Sequence, residues 1–242
     1  MSESSPRREV AERAAGLGYA AGWWVVRGLP APLAHAGFGW GADLAARRAG
    51  QGVRRLRANL ARVVPDATPD ALDDLVRAGL RSYARYWCEA FRLPTMDPCD
   101  LHRRMDPLVT GAKPAFQALR EGRGVIFALP HSGNWDVAGV WMVESLRRLG
   151  LEPVLTTVAE RLRPESLFRR FVRYRESLGF EVIAAQDGTA AYRGLSRRLR
   201  AGGVVCLVSD RDLTASGVEV SFFGEPARLP AGPARLAALT GA

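Results

Sequence analysis

Lysine is almost missing from this chain: of 34 basic residues only Lys113 is not an arginine. Cysteine is scarce, and Cys88, Cys99 and Cys206 show neither zinc-like spacing nor the even count of a secreted disulfide framework. A reducing compartment fits, and Cys206, inside a strand-like run, reads as a small core residue. Long apolar runs are lacking too. The most apolar early stretch, Leu17 to Val26, is ended by Arg27, Pro30 and Pro32. A helix crossing a bilayer core of about 30 Å needs about 20 residues, so this stretch is not a membrane span. The start, Met1 to Arg13, is polar and charged, with no signal-peptide pattern after it. There is no internal repeat, no P-loop and no G-x-G-x-x-G, which removes the common phosphate-cradling motifs.

What the chain does have is positive charge: a net +9, from 34 Lys+Arg against 25 Asp+Glu. The charge is spread, with 16 basic against 12 acidic residues in 1–110 and 18 against 13 in 111–242. No dense basic block of the kind used by a nucleic-acid tail is present, so nucleic acid is not an expected partner. A diffuse positive field suits an anionic lipid surface or an anionic thioester donor. With 48% apolar residues over 242, the chain can bury one substantial core with a helical annex.

The N-terminal region, 1–107, reads as helical. Trp23, Trp24 and Trp40 cluster there with arginine and small residues, as in an interfacial membrane segment or a buried helix hairpin. Asp43 to Arg62 reads as one basic amphipathic helix. Thr68 before Pro69 is an N-cap followed by proline at the first helical position. From there Leu72, Leu75, Val76, Leu80, Tyr83, Trp87 and Phe91 recur at helical spacing as a core stripe. Thr95 to Pro107, rich in Pro and Asp, reads as a linker.

In 108–242 the rhythm changes to strands alternating with helices. The expected strands are Val125–Leu129, Pro153–Val158, Phe180–Ala184, Val204–Ser209 and Val218–Phe223. The expected helices are Lys113–Glu121, Trp135–Leu149, Pro164–Leu178 and Thr189–Ala201. This alternation predicts an α/β fold with a mostly parallel sheet flanked by helices. Ligands of such sheets gather beyond the carboxyl ends of strands, where His131, Glu160 and the turn Asp210-Arg211-Asp212 all fall. That turn offers two aspartates and no visible third ligand, so no metal is expected.

The stretch Leu129-Pro130-His131-Ser132-Gly133-Asn134-Trp135-Asp136 joins the first strand to its helix. On one helix His131 and Asp136 would stand about 140° apart and could not meet. They can meet if His131 precedes the helix and the chain folds back through Ser-Gly-Asn. Asp136, stabilised by the helix N-terminus, would then accept the ring Nδ1–H and leave Nε2 as a general base. Backbone N–H groups of the turn would face a developing oxyanion. A serine nucleophile at Ser132 fits poorly, because the turn is not a G-x-S-x-G elbow.

His131 with Asp136 makes an H-x4-D box and resembles the glycerolipid acyltransferase superfamily, and its flank ALPHSGNWDVAG resembles the lipid A late-acyltransferase branch. Further blocks are similar in the same order: YARYW at 83–87, VAERL at 158–162, YRESLGFE at 174–181, DRDLT at 210–214 and FFGEPAR at 222–228. Within the branch the likeness is to members that acylate mannosylated phosphoinositides. The resemblance implies direct acyl transfer from acyl-CoA, as co-substrate with no further cofactor, to a mannose hydroxyl of such a lipid. His131 and Asp136 would be catalytic, and Glu160, Arg175, Asp210, Arg211 and Glu225 would hold donor phosphates or acceptor hydroxyls. Attachment would be peripheral, on the cytoplasmic face of the plasma membrane. A lipid A acyltransferase and a catalytically silent membrane-binding protein are the rival expectations. Family members continue some 60 residues further, so the chain reads as C-terminally short; Pro230 to Ala242 reads as the start of a helix capped by Gly241, and a sheet edge is expected to stay uncovered.

Overall fold

The structure is a computed structural model that describes residues 22–159, 165–185, 188–212 and 217–242. The described residues fall into two compact units: one within 96–220 and 226–242, the other within 22–95 and 221–225.

The larger unit is an α/β layer. Four parallel strands, β1 (Val125–Leu129), β2 (Leu155–Ala159), β3 (Phe180–Ala184) and β4 (Val204–Val208), lie in the order β1-β4-β2-β3. Each is a five-residue run of mostly β-branched and apolar side chains, the composition of strands covered on both faces. The helices of this unit are α4 (Pro98–Met105), α5 (Lys113–Arg120), α6 (Trp135–Arg148), α7 (Glu165–Glu176), α8 (Gly188–Arg200) and α9 (Gly232–Thr240). Leu195 and Leu199 of α8, Leu236 of α9, and Val205 and Leu207 of β4 form one core, against which Ile126, Val158 and Ile183 pack. Phe180 has the opposite parity to Ile183 and so faces the other side of the sheet. There it meets α6, where a Cβ added to Gly139 would lie 2.4 Å from the Phe180 ring. The sheet is therefore covered by α8 and α9 on one face and by α6 on the other, as the alternating pattern predicts.

Two local expectations are corrected here. Residues 98–105 form a helix rather than a linker, because Asp97 caps it by accepting from the N–H groups of Cys99 and Asp100, with Pro98 at the first helical position. The fifth expected strand does not join the parallel sheet. It forms β5 (Val218–Phe222), paired with β6 (Glu225–Leu229) in a separate two-stranded ribbon. Phe223 at φ 51° and Gly224 at φ 77° occupy the turn, the two positive-φ positions that a type I′ hairpin needs. The C-terminal helix ends as read, with Gly241 at φ 75°.

The smaller unit is helical. Residues 22–28 are helical, followed by α1 (Ala31–Arg48), α2 (Gln51–Val63) and α3 (Pro69–Arg92). The single amphipathic helix expected over 43–62 is two helices, divided where Ala49 turns left-handed at φ 45°. Thr68 caps α3 as predicted, accepting from Ala71 N–H at 3.3 Å. The apolar stripe of α3 is only partly core: Leu72 and Val76 are buried, whereas Leu75 and Tyr83 are exposed. Trp23 is tied in by Nε1–H donating to the Phe91 carbonyl at 2.9 Å, whereas Trp24 is 77% exposed. No helix among the described residues is long and apolar enough to cross a membrane.

Candidate active site

The site grows from the carboxyl ends of two neighbouring strands. β1 and β4 pair in parallel with Leu129 opposite Val208, and Ser209 N–H donates to the Leu129 carbonyl at 2.8 Å. His131 and Asp210 therefore each stand two residues beyond a matched pair. Their side chains meet, with His131 Nδ1 2.6 Å from Asp210 Oδ1. Burial pushes the Asp210 carboxyl up, but the His131 ring and the backbone N–H groups of His131 and Asp210 bond to it and bring it below its ordinary value. An anionic Asp210 at Nδ1 selects the tautomer that carries a proton there and leaves Nε2 as an acceptor. His131 is 45% exposed at its side chain, open to a substrate hydroxyl.

The turn after His131 is built locally. Ser132 N–H donates to the Pro130 carbonyl at 2.8 Å, Gly133 takes φ 62°, and Asn134 caps α6 by accepting from Val137 N–H at 3.1 Å. The helix thus starts four residues after the histidine, as the H-x4-D spacing requires.

Asp136 departs from expectation. The carboxylate at hydrogen-bonding distance from Nδ1 is that of Asp210, not that of Asp136. Asp136, in the first turn of α6, is fully buried and faces Arg175 of α7, with Nε 3.4 Å from Oδ1. The Arg175 guanidinium lies 4.2 Å from the ring centroids of both Trp135 and Phe171, a cation held between two aromatic faces. Cys206 of β4 senses this pair: burial pushes its thiol up to about 12, against the lowering field of Arg175 and with the raising field of Asp136. Arg175, expected as a phosphate ligand, is 3% exposed and stands as the counterion of Asp136.

Arg211 is exposed next to Asp210. Glu225, in the smaller unit, is exposed and paired with Arg62 at 3.1 Å. Glu160 lies outside the described residues, one position past the end of β2. Among the described residues no three His, Cys, Asp or Glu side chains converge on a metal position. Asp210 was expected at the site from its sequence but not against His131 Nδ1, and the available signal was the equal spacing of histidine and aspartate beyond two strand ends.

An exposed histidine at one strand end, with a carboxylate from the neighbouring strand at its Nδ1, is a geometry in which Nε2 can accept a proton from a hydroxyl. The chain belongs to the family described as bacterial lipid A biosynthesis acyltransferase, whose model matches residues 1–242. It is 54% identical over 227 residues to the phosphatidylinositol mannoside acyltransferase of Mycolicibacterium smegmatis, covering 93% of this chain and 71% of that protein. To the protein of the same name from Mycobacterium tuberculosis it is 51% identical over 241 residues, covering 98% of this chain and 73% of the relative. The chain is thus an acyltransferase, acting between an acyl donor and a lipid acceptor.

Proposed function

We propose that the protein moves a fatty acyl group from acyl-CoA to a mannose hydroxyl of a phosphatidylinositol mannoside. The acceptor follows from the shared 51–54% identity with relatives of that name. The observation that carries the chemistry is the exposed His131 with Asp210 at its Nδ1.

In the reaction, Nε2 of His131 takes the proton of the mannose hydroxyl as its oxygen bonds to the thioester carbonyl carbon. The C–S bond then breaks and the CoA sulfur leaves as a thiolate, so no covalent enzyme intermediate and no strong general acid are needed. The imidazolium formed is stabilised by Asp210 and returns its proton to the thiolate or to water. Asp136 acts one layer below, neutralising Arg175 and anchoring the first turn of α6, so that the histidine turn keeps its position. Arg211, charged and exposed beside the dyad, is placed to meet a phosphate of the donor or acceptor. The reaction needs no metal or resident cofactor. The protein works on the cytoplasmic face of the plasma membrane, attached peripherally through exposed Trp24 and a positive surface.

The test is release of CoA thiol from palmitoyl-CoA, with and without a phosphatidylinositol mannoside. Release should require the acceptor and vanish in His131→Ala. Equal release from wild type and His131→Ala, or stimulation only by a lipid A precursor, would overturn the reading.

A further inference from the structure

A charged concavity lies wholly inside the helical unit. A groove of about 550 Å³ opens where α1, α2 and α3 meet, and its lining holds Arg47, Arg54, Arg57, Arg77 and Arg81 against only Asp43 and Asp73. Arg77 also reaches Asp74, just outside the lining, at 3.3 Å, so two positive charges are in excess within one small depression. Repulsion among them favours an anionic occupant.

The pairing in the groove leaves guanidinium edges open. Arg81 meets Asp43 through Nε and Nη2, both at 2.7 Å, which fixes its plane and leaves Nη1 as a donor. Arg57 gives only its Nε to Asp73, at 2.8 Å. The Arg81 bond, with the fields of Arg81, Arg77 and Arg47, holds the Asp43 carboxyl below its ordinary value in spite of some desolvation, so these cations converge on one place. Arg47 and Arg54 are exposed on the groove wall, where Ala49 and Val53 complete the corner between α1 and α2. Planar forks pre-set by carboxylates, with two exposed arginines on the groove wall, match the oxygens of a phosphate group.

We infer that this groove is a phosphate-binding site, separate in its chemistry from the His131 dyad. The phosphate is either that of an anionic lipid head group or one carried by the soluble donor. The inference does not depend on the acyl-transfer mechanism, because binding is read without turnover.

The experiment compares the full chain with Arg47→Ser/Arg54→Ser, two exposed residues of the groove wall. Arg48→Ser/Arg55→Ser, from the same two helices but outside the lining, removes the same charge as a control. Binding is measured to phosphatidylcholine vesicles with and without phosphatidylinositol, and to free CoA by calorimetry. The groove variant should bind one of these phosphates roughly 10- to 30-fold more weakly, at about 1 kcal/mol per arginine, and the control should change far less. Weakening on phosphatidylinositol vesicles alone identifies a head group, and weakening with CoA alone identifies the donor. Unchanged binding to both, or equal losses in groove and control variants, would overturn the inference.

Discussion

The carboxylate of Asp136 and the guanidinium of Arg175 meet where solvent does not reach: their side chains are 1% and 4% exposed. Charges so enclosed depend on each other, because removing one takes the opposite charge away from a group that solvent does not reach. Asp136→Asn should therefore cost about 3–5 kcal/mol of folding stability. The double change Asp136→Leu with Arg175→Met should recover more than half of that loss. Denaturant unfolding of the single and double variants measures both. A single-variant loss under about 1 kcal/mol would mean that the two residues are not coupled.

Asp210→Asn keeps the shape at His131 Nδ1 but removes the anion that selects its tautomer. Turnover should fall on the order of 10²–10⁴, with KM for the acceptor little changed. The same substitution has a signature in pH. A carboxyl lowered by folding stabilises the protein above its unfolded value of 3.8, and this contribution is lost as pH falls through the lower folded value. The stability gap between wild type and Asp210→Asn should thus be constant from neutral pH down to about pH 5 and close below the unfolded value. Urea midpoints across a pH series provide the check, and a gap that widens in acid would contradict the assignment.

Gly139→Ala should be destabilising by about 1–3 kcal/mol, because the new methyl group enters the Phe180 ring. A smaller residue at 180, as in Phe180→Leu, should lessen the effect of the alanine. Thermal unfolding of the two singles and the double is enough to see it. Additive losses would show that the helix–sheet contact is elsewhere.

Trp23 and Trp24 should separate cleanly. Trp23→Ser removes the bond to the Phe91 carbonyl and a ring packed 5.2 Å from that of Phe91, and should lower stability by about 1–3 kcal/mol. Trp24→Ser should leave stability within about 0.5 kcal/mol and weaken binding to anionic vesicles. That binding should also fall with added salt, as screened surface charge does. Vesicle sedimentation indifferent both to Trp24→Ser and to salt would remove this mode of attachment.

Sequence pattern served best where a residue type answers a local need. The parallel strands were legible from their apolar runs, the start of α3 from Thr68 before Pro69, and the histidine turn from Pro130, Gly133 and Asn134. The same cap-then-proline signal at Asp97-Pro98 was hidden by the surrounding prolines and aspartates, which resemble a linker. The division between α1 and α2 falls at Ala49, a residue with no preference for a left-handed conformation, and the local signal for it was Gly50, the cap of α2. Asp210 was legible as a residue beyond a strand but not as the partner of His131. That pairing rests on a register between strands whose site residues are 79 positions apart. Arg175 looked like a surface cation because Trp135 and Asp136, which enclose it together with Phe171 one turn back on its own helix, belong to a different helix.

The strand order β1-β4-β2-β3 bears on how the protein comes into being. The strand translated last of the four lies inside the sheet, between the first and the second. Until residue 208 has emerged from the ribosome, β1 has no neighbour and β2 has only β3, and both present unpaired, apolar edges. The dyad cannot exist before that insertion, since Asp210 arrives with the inserted strand. Nascent chains stalled before residue 204 should be sticky and rely on chaperones, whereas chains released beyond it can close the sheet and assemble His131 with Asp210 in one event.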